Sequence, residues 1–302
     1  MKYTFLFSGQ GSQYVGMGKN MFNSFDYAKN IFKRASEILG FDLKHICFQD
    51  NLLINKTQYT QPAIFTYNMV LDYFLKDLGY TPTSVAGHSL GEYSALVSID
   101  ALSFDDALLL IKKRAEKMYD IGGKKPGKMA AIINANQDIL KKLLKKHKND
   151  VVVANFNSPN QQIISGNIKS IDIFTNEAKK LGIRRIIPLN VSGAFHSPLM
   201  KNARIYLEKF IKSTTFHDTK IPIYQNFCPK ENFKADKIKN NLINQLDHPV
   251  KWNDIINTMH TMGNTNYMEV GPRNILHKLN KQILPEVNSK FVEDLEEFKR
   301  FV

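Results

Sequence analysis

VAGHSLGEYSAL (residues 85–96) is the stretch that decides the architecture. Val85 and Ala86 end a short apolar run that reads as a strand, and GEYSAL reads as the opening of a helix. Between them, Gly87-His88-Ser89-Leu90-Gly91 fits the G-x-S-x-G pattern of a tight strand-to-helix turn. In such a turn the glycines give the backbone room, and the serine hydroxyl stands out over the strand end. The Leu90 amide would then lie at a helix N-terminus, a ready donor for an oxyanion. The same residues also suit a serine that merely caps a helix. On this pattern alone Ser89 is either a nucleophile or a cap.

Outward from the turn, short apolar runs alternate with amphipathic stretches, the rhythm of an α/β protein. YTFLFSG (3–9) reads as a first strand, and QPAIFTYNMVLDYFLKDLG (61–79) as a helix closed by Gly79. Residues 128–190 change rhythm. KMAAIINA, the pair VVVANFN and QQIISG joined by SPN, and IRRIIPLN read as strands. QDILKKLLKKHK and SIDIFTNEAKKLG read as helices. That order, βαββαβ, is the ferredoxin-like pattern. The expectation is a large α/β domain with a parallel sheet, formed by residues 1–125 and 191–302. A small ferredoxin-like domain, 126–190, is inserted in it, with GGKKPGK (122–128) as the entry linker.

The chain has 302 residues, 43% of them hydrophobic, which suffices for a large core and a smaller satellite. No apolar run approaches the roughly 18–20 residues of a membrane span. The start, MKYTFLFSGQGSQ, reads as a first strand rather than a signal peptide. Cys47 and Cys228 lie far apart with no C-x-x-C, which argues against a disulfide framework or a zinc site and for a reducing, cytoplasmic setting. The formal net charge of +13 favours anionic partners. Its clusters IKKRAEKM (111–118), KKLLKKHK (141–148) and KKLGIRR (179–185) serve equally as solvated helix faces. With neither an RNA-binding aromatic signature nor zinc-finger spacing, nucleic acid is set aside.

Three further features join Ser89. In SGAFHSPLM (192–200), Ser197 and Pro198 read as N-cap and first residue of a helix, so His196 directly precedes a helix start. A lone histidine is ordinarily structural, but a serine nucleophile needs a base. Of the others, His88 is expected to turn away across the elbow and His147 to be solvated, while His45, His217, His248, His260 and His277 have no partner motif. GQGSQ (9–13) follows the first strand, so the Gln10 amide can be a second oxyanion donor, or the segment a plain loop; it matches no phosphate-binding pattern. Arg114 shares a helix face with Ala107, Leu110, Ile111 and Met118, so it points inward. A buried guanidinium wants an anion, either a structural carboxylate or a substrate's.

Taken together, GQGSQ, TQPA, GHSLGEY, ANFNSPNQQIISG, VSGAFHSPLM, QLDHPVKW and EVGP resemble, in order and over nearly the whole chain, the malonyl-CoA:acyl carrier protein acyltransferases. The resemblance implies an α/β-hydrolase-like large domain carrying a ferredoxin-like small one. It implies Ser89 as nucleophile, His196 as general base and acid, and the Gln10 and Leu90 amides as oxyanion hole. Arg114 would bind the malonyl carboxylate, and Gln245 would orient His196 through its main-chain carbonyl. Phe195 resembles the aromatic residue of malonyl-selective members. TQYTQPA and IKKRAEKM resemble the discrete, trans-acting acyltransferases of modular polyketide synthases. Ser8 stands where the family usually has proline, and Ala115 where it commonly has glycine.

The expected activity is ping-pong transfer from malonyl-CoA to the phosphopantetheine thiol of an acyl carrier protein, or of a carrier domain of a polyketide synthase. Neither metal nor redox cofactor, and no membrane, enters this expectation, and the chain acts as a monomer. The rival readings are a fatty-acid-synthesis transacylase, a hydrolase that unloads carriers, and a non-catalytic basic docking module.

Overall fold

A computed structural model describes residues 2–49, 52–191 and 193–300. Its strands are β1 (Lys2–Phe7), β2 (Thr81–Gly87), β3 (Gly127–Ile133), β4 (Val151–Ser158), β5 (Gln161–Asn167), β6 (Arg185–Pro188), β7 (Ile223–Tyr224), β8 (Glu231–Asn232), β9 (Asn266–Val270) and β10 (Asn288–Val292). One sheet runs β10-β9-β1-β2-β7-β8, parallel except for the short edge strand β8. β1 and β2 lie at its centre, and the last four residues of each are buried, as in a parallel sheet covered on both faces. Their register sets Phe7 opposite Gly87. The loops that follow, GQGSQ and the Ser89 turn, therefore emerge side by side at the carboxyl edge of the sheet, where α/β proteins place their sites.

The second sheet, β4-β5-β3-β6, is antiparallel and is drawn wholly from residues 127–188 in the order βαββαβ. Alternation along β3 sorts its two faces. Ala130 and Ile132 pack with Leu140, Ile171 and Phe174 under the helices Gln137–Lys146 and Ile168–Lys180. Met129 and Ala131 join the main core instead. Val250 pairs with the outer strand β4, donating its amide to Ala154 O at 2.8 Å and accepting from Phe156 N at 2.9 Å. This bridge ties the second sheet to the segment that leads into the helix Trp252–Thr261 and blunts an exposed edge.

The parallel sheet and the βαββαβ unit agree with the sequence reading; the linker does not. The helix Phe104–Lys124 continues through the first two glycines of GGKKPGK, and β3 starts at the third, Gly127. Gly122 is buried there, and its Cα lies 3.2 Å from where a Cβ on Gly193 would sit. The small residue serves close packing rather than a turn. Of the motif VSGAFHSPLM, Ser192 lies outside the described residues.

Candidate active site

Ser89 sits on the turn between β2 and the helix Gly91–Ser98, with φ +52°, a left-handed conformation for a residue that carries a Cβ. The glycines at either side are required by contact. A Cβ on Gly87 would lie 2.0 Å from the Gly91 carbonyl, and one on Gly91 would lie 2.1 Å from Phe7 O. The strained turn is held from below by buried polar groups. Asn226 accepts from Ser89 N at 2.6 Å and donates to Gly87 O at 2.7 Å. Asn226 N and Gln225 Nε2 in turn donate to the Glu92 carboxylate at 2.8 and 3.0 Å. Burial pushes the Glu92 carboxyl up, and these donors oppose it. Asn226→Ala orphans two backbone groups, so it should cost roughly 2–4 kcal/mol and slow reaction of Ser89 with a neutral sulfonyl fluoride. Thermal melts and labelling rates check both; an unchanged melt would refute the role of Asn226 as a clamp.

Ser89 Oγ lies 2.7 Å from His196 Nε2. His196 Nδ1 faces two main-chain carbonyls, Gln245 O and His248 O, each at 3.1 Å. Two acceptors at Nδ1 fix the proton there and leave Nε2 free to accept from the serine. Among the described residues, no carboxylate bonds to Nδ1. Burial first, then the Arg114 charge, hold the imidazole down to about 3, with the two carbonyls opposing. His196 is therefore a neutral base throughout the physiological range. Nitrogen NMR of the free protein should show it uncharged with the Nδ1–H tautomer from about pH 8 to about pH 5. A His196 titration near its ordinary value of 6.5 would contradict this.

Arg114 is buried, as its helix periodicity requires. Among the described residues no carboxylate lies within ion-pair distance; the charge of the buried Glu92 acts on the guanidinium without a direct ion pair. Instead, NH1 donates to Gln61 Oε1 at 2.7 Å, while NH2 donates to Ser89 Oγ at 3.0 Å and Gln245 Oε1 at 3.3 Å. Gln61 Nε2 continues to Gln10 Oε1 at 3.2 Å, and Gln245 Nε2 holds Ser89 O at 2.9 Å. Carboxamides thus aim the guanidinium without neutralising it.

The amides of Gln10 and Leu90 have no acceptor among the described residues. Gln10, Ser89, Phe195 and His196 line a cleft of about 530 Å³, which is also lined by the face of the second sheet turned away from its helices, including Met129, Ala131 and Ile163. Leu90 itself is buried beneath it. His88 departs from expectation. It lines the same cleft, with Nε2 2.9 Å from Asn157 Oδ1 and 3.3 Å from Asn155 Nδ2, because β4 brings those carboxamides to the turn. Among the described residues no group of three or more His, Cys, Asp or Glu side chains could hold a metal ion, and no helix is long and apolar enough to cross a membrane.

Sequence reasoning passed over Gln61, Glu92, Asn226, the Gln245 side chain and the His248 carbonyl as parts of this site. The first two lie inside the quoted motifs TQPA and GHSLGEY, where they offered a signal. Asn226 follows a two-residue strand and offered none.

A family model described as acyl transferase domain matches residues 4–296. The malonyl CoA-acyl carrier protein transacylase of Bacillus subtilis (strain 168) is 38% identical over 299 residues, 98% of this chain and 94% of that protein. The polyketide biosynthesis malonyl CoA-acyl carrier protein transacylase PksC of the same organism is 38% identical over 287 residues, 92% of this chain and 97% of that one. The crystal structure of MCAT from Streptococcus pneumoniae superposes with a TM-score of 0.93 at 34% identity, covering 100% of this chain and 99% of that one.

Proposed function

The chain belongs to the acyl transferase domain family, and on that premise we propose that it moves a malonyl group from malonyl-CoA to the phosphopantetheine thiol of an acyl carrier protein through a malonyl ester on Ser89. The observation that carries the reading is a buried Arg114 that has no ion-pair partner among the described residues and is hydrogen-bonded to the same hydroxyl that His196 faces. A site built for plain acyl chains has no use for that cation; a dicarboxylic acyl group supplies its missing anion.

In the first half-reaction His196 Nε2 takes the Ser89 proton as Oγ adds to the thioester carbonyl. The oxyanion is received by the Gln10 and Leu90 amides, each such donor being worth about 3 kcal/mol in the transition state. The C–S bond then breaks, His196 returns the proton to the departing thiol, and malonyl-Ser89 remains. The carrier thiol repeats the sequence in reverse, giving its proton to His196 and restoring the Ser89 hydroxyl. Thioester exchange changes no oxidation state, so no redox cofactor is proposed. Phe195 is proposed to limit branching at the acyl group, and residues 126–190 to act as a small domain closing the cleft over 1–125 and 191–302.

The proposed carrier is that of a polyketide synthase, on the strength of TQYTQPA and IKKRAEKM. The two Bacillus relatives, one named for polyketide biosynthesis and one not, are both 38% identical and favour neither context. Comparing kcat/KM for a polyketide and a fatty-acid carrier protein decides between them. Release of malonate faster than transfer at saturating carrier would instead favour the hydrolase reading. The proposed setting is the cytoplasm and the proposed state a monomer, which sedimentation tests.

A further inference from the structure

The turn that presents the Gln10 amide is tied to an element the mechanism has not used. Ser8, 1% exposed, follows β1 at a position where the family that the sequence resembles usually has proline. Its hydroxyl donates to Glu269 Oε1 at 2.9 Å, and its amide donates to Val270 O at 3.3 Å. Proline has neither donor, so this chain carries two links from β1 to β9 that a proline would lack. Glu269 is fully buried, and its second oxygen accepts from His277 N at 2.7 Å at the start of the helix Ile275–Ile283. Burial pushes its carboxyl up to about 7, while the helix amides and Ser8 hold it down. Among the described residues, the Ser8 hydroxyl is the side-chain donor bonded to that carboxylate. Leu276 and Leu279 of the helix, together with Ser8, Gln10 and Glu269, line the catalytic cleft.

The rest of the turn is pinned by short bonds. Asn68 Nδ2 donates to Ser8 O at 3.0 Å, and Ser12 Oγ donates to Gly9 O at 2.8 Å. Gly9 O is thereby turned toward Ser12, and the next amide, that of Gln10, is left without an acceptor. Through Glu269, Ser8 joins this turn to the helix Ile275–Ile283.

We propose that Ser8 is a positioning residue for acyl transfer: its hydroxyl, donated to the buried Glu269 carboxylate, locks the Gln10 turn against the helix that walls the cleft, and so fixes one arm of the oxyanion hole. This rests on the Gln10 amide receiving the oxyanion. An oxyanion forms in both half-reactions, so a loosened donor slows both, whereas a lost substrate contact affects binding. An oxyanion donor displaced by a fraction of its hydrogen-bond length forfeits part of its effect, here on the order of tenfold.

Single-turnover acylation by malonyl-CoA and hydrolysis of malonyl-Ser89 without carrier are measured for the full chain and for Ser8→Ala. Both rates are expected to fall by a similar factor, roughly tenfold. The dissociation constant for malonyl-CoA, measured in a Ser89→Ala background where no chemistry intervenes, stays unchanged. In a Glu269→Leu background, where the side chain at 269 accepts no hydrogen bond, the further loss from Ser8→Ala shrinks to less than about twofold, because the two residues act as one unit. Ser8→Cys keeps the volume, supplies only a weak donor, and behaves like Ser8→Ala should the alanine variant fold poorly. Unchanged rates in Ser8→Ala and Ser8→Cys, a loss confined to malonyl-CoA affinity, or an undiminished loss in the Glu269→Leu background would each overturn the proposal. Failure of the acyltransfer reading shows separately, as an absence of malonyl-Ser89 in the unaltered chain.

Discussion

Ser89→Ala will leave no malonyl adduct on the protein after incubation with malonyl-CoA, and malonyl transfer to a carrier protein will fall by roughly 10⁴–10⁶-fold. The size of the loss follows from what else the cleft contains. Its other hydroxyls in the β1 loop are committed: Ser8 Oγ to Glu269, Ser12 Oγ to Gly9 O. Cys47 is buried, and its thiol is pushed up by burial, away from the reactive thiolate. Cys228 is not part of the cleft lining. His196 remains, but with its Nδ1 proton held by two carbonyls it can relay a proton and still lacks the hydroxyl it serves. The turn itself survives the change, since its clamps to Asn226 and Gln245 are made by the Ser89 backbone. Intact-mass spectrometry reads the adduct directly. An adduct persisting on the alanine variant would mean that another group carries the acyl chain, and the serine assignment would fall with it.

How much of this was legible beforehand depends on the range over which each feature is encoded. Ser89 and His196 announce themselves locally, one by glycine punctuation around a strand end, the other by Ser197-Pro198 opening a helical segment. The inward face of Arg114 is written in the 3.6-residue period of its own helix. What Arg114 touches is not, because Gln61 and Gln245 come from 53 and 131 positions away. A carboxamide in a sequence gives no sign that it will be buried against a cation. Main-chain acceptors are still less visible, since any residue at 248 could offer the carbonyl that shares His196 Nδ1. His88 was misjudged because the neighbours that turn its ring, Asn155 and Asn157, sit on β4 of the other sheet. The GGKKPGK segment failed for a different reason: glycine signals either a turn or a close approach, and only packing against the Gly193 segment separates the two.

Arg114→Ala will collapse the preference for malonyl-CoA over acetyl-CoA by about two orders of magnitude, chiefly through loss of malonyl turnover. The guanidinium is buried, which lowers its pKa, yet from so high a starting value it stays a cation. In the free protein it spends its hydrogen bonds on Gln61, Gln245 and Ser89 Oγ. A substrate carboxylate replaces some of these with charge-assisted bonds, a net gain of about 3 kcal/mol, or roughly a hundredfold. A second effect works through the base. The Arg114 charge is, after burial, the largest influence holding His196 down. A carboxylate bound to Arg114 offsets that charge, so His196 becomes a stronger base when the acyl group carries an acid. Acetyl-CoA brings no such compensation and meets a weaker base beside an uncompensated cation. In Arg114→Ala the charge is gone for both substrates, so acetyl transfer is retained while malonyl transfer loses its anchor. The orphaned Gln61 and Gln245 oxygens will cost some stability, so melts and labelling of Ser89 by a neutral sulfonyl fluoride serve as controls for an intact site. Side-by-side kcat/KM values for the two thioesters give the answer. A selectivity ratio that survives the substitution would show that the carboxylate is recognised elsewhere in the cleft.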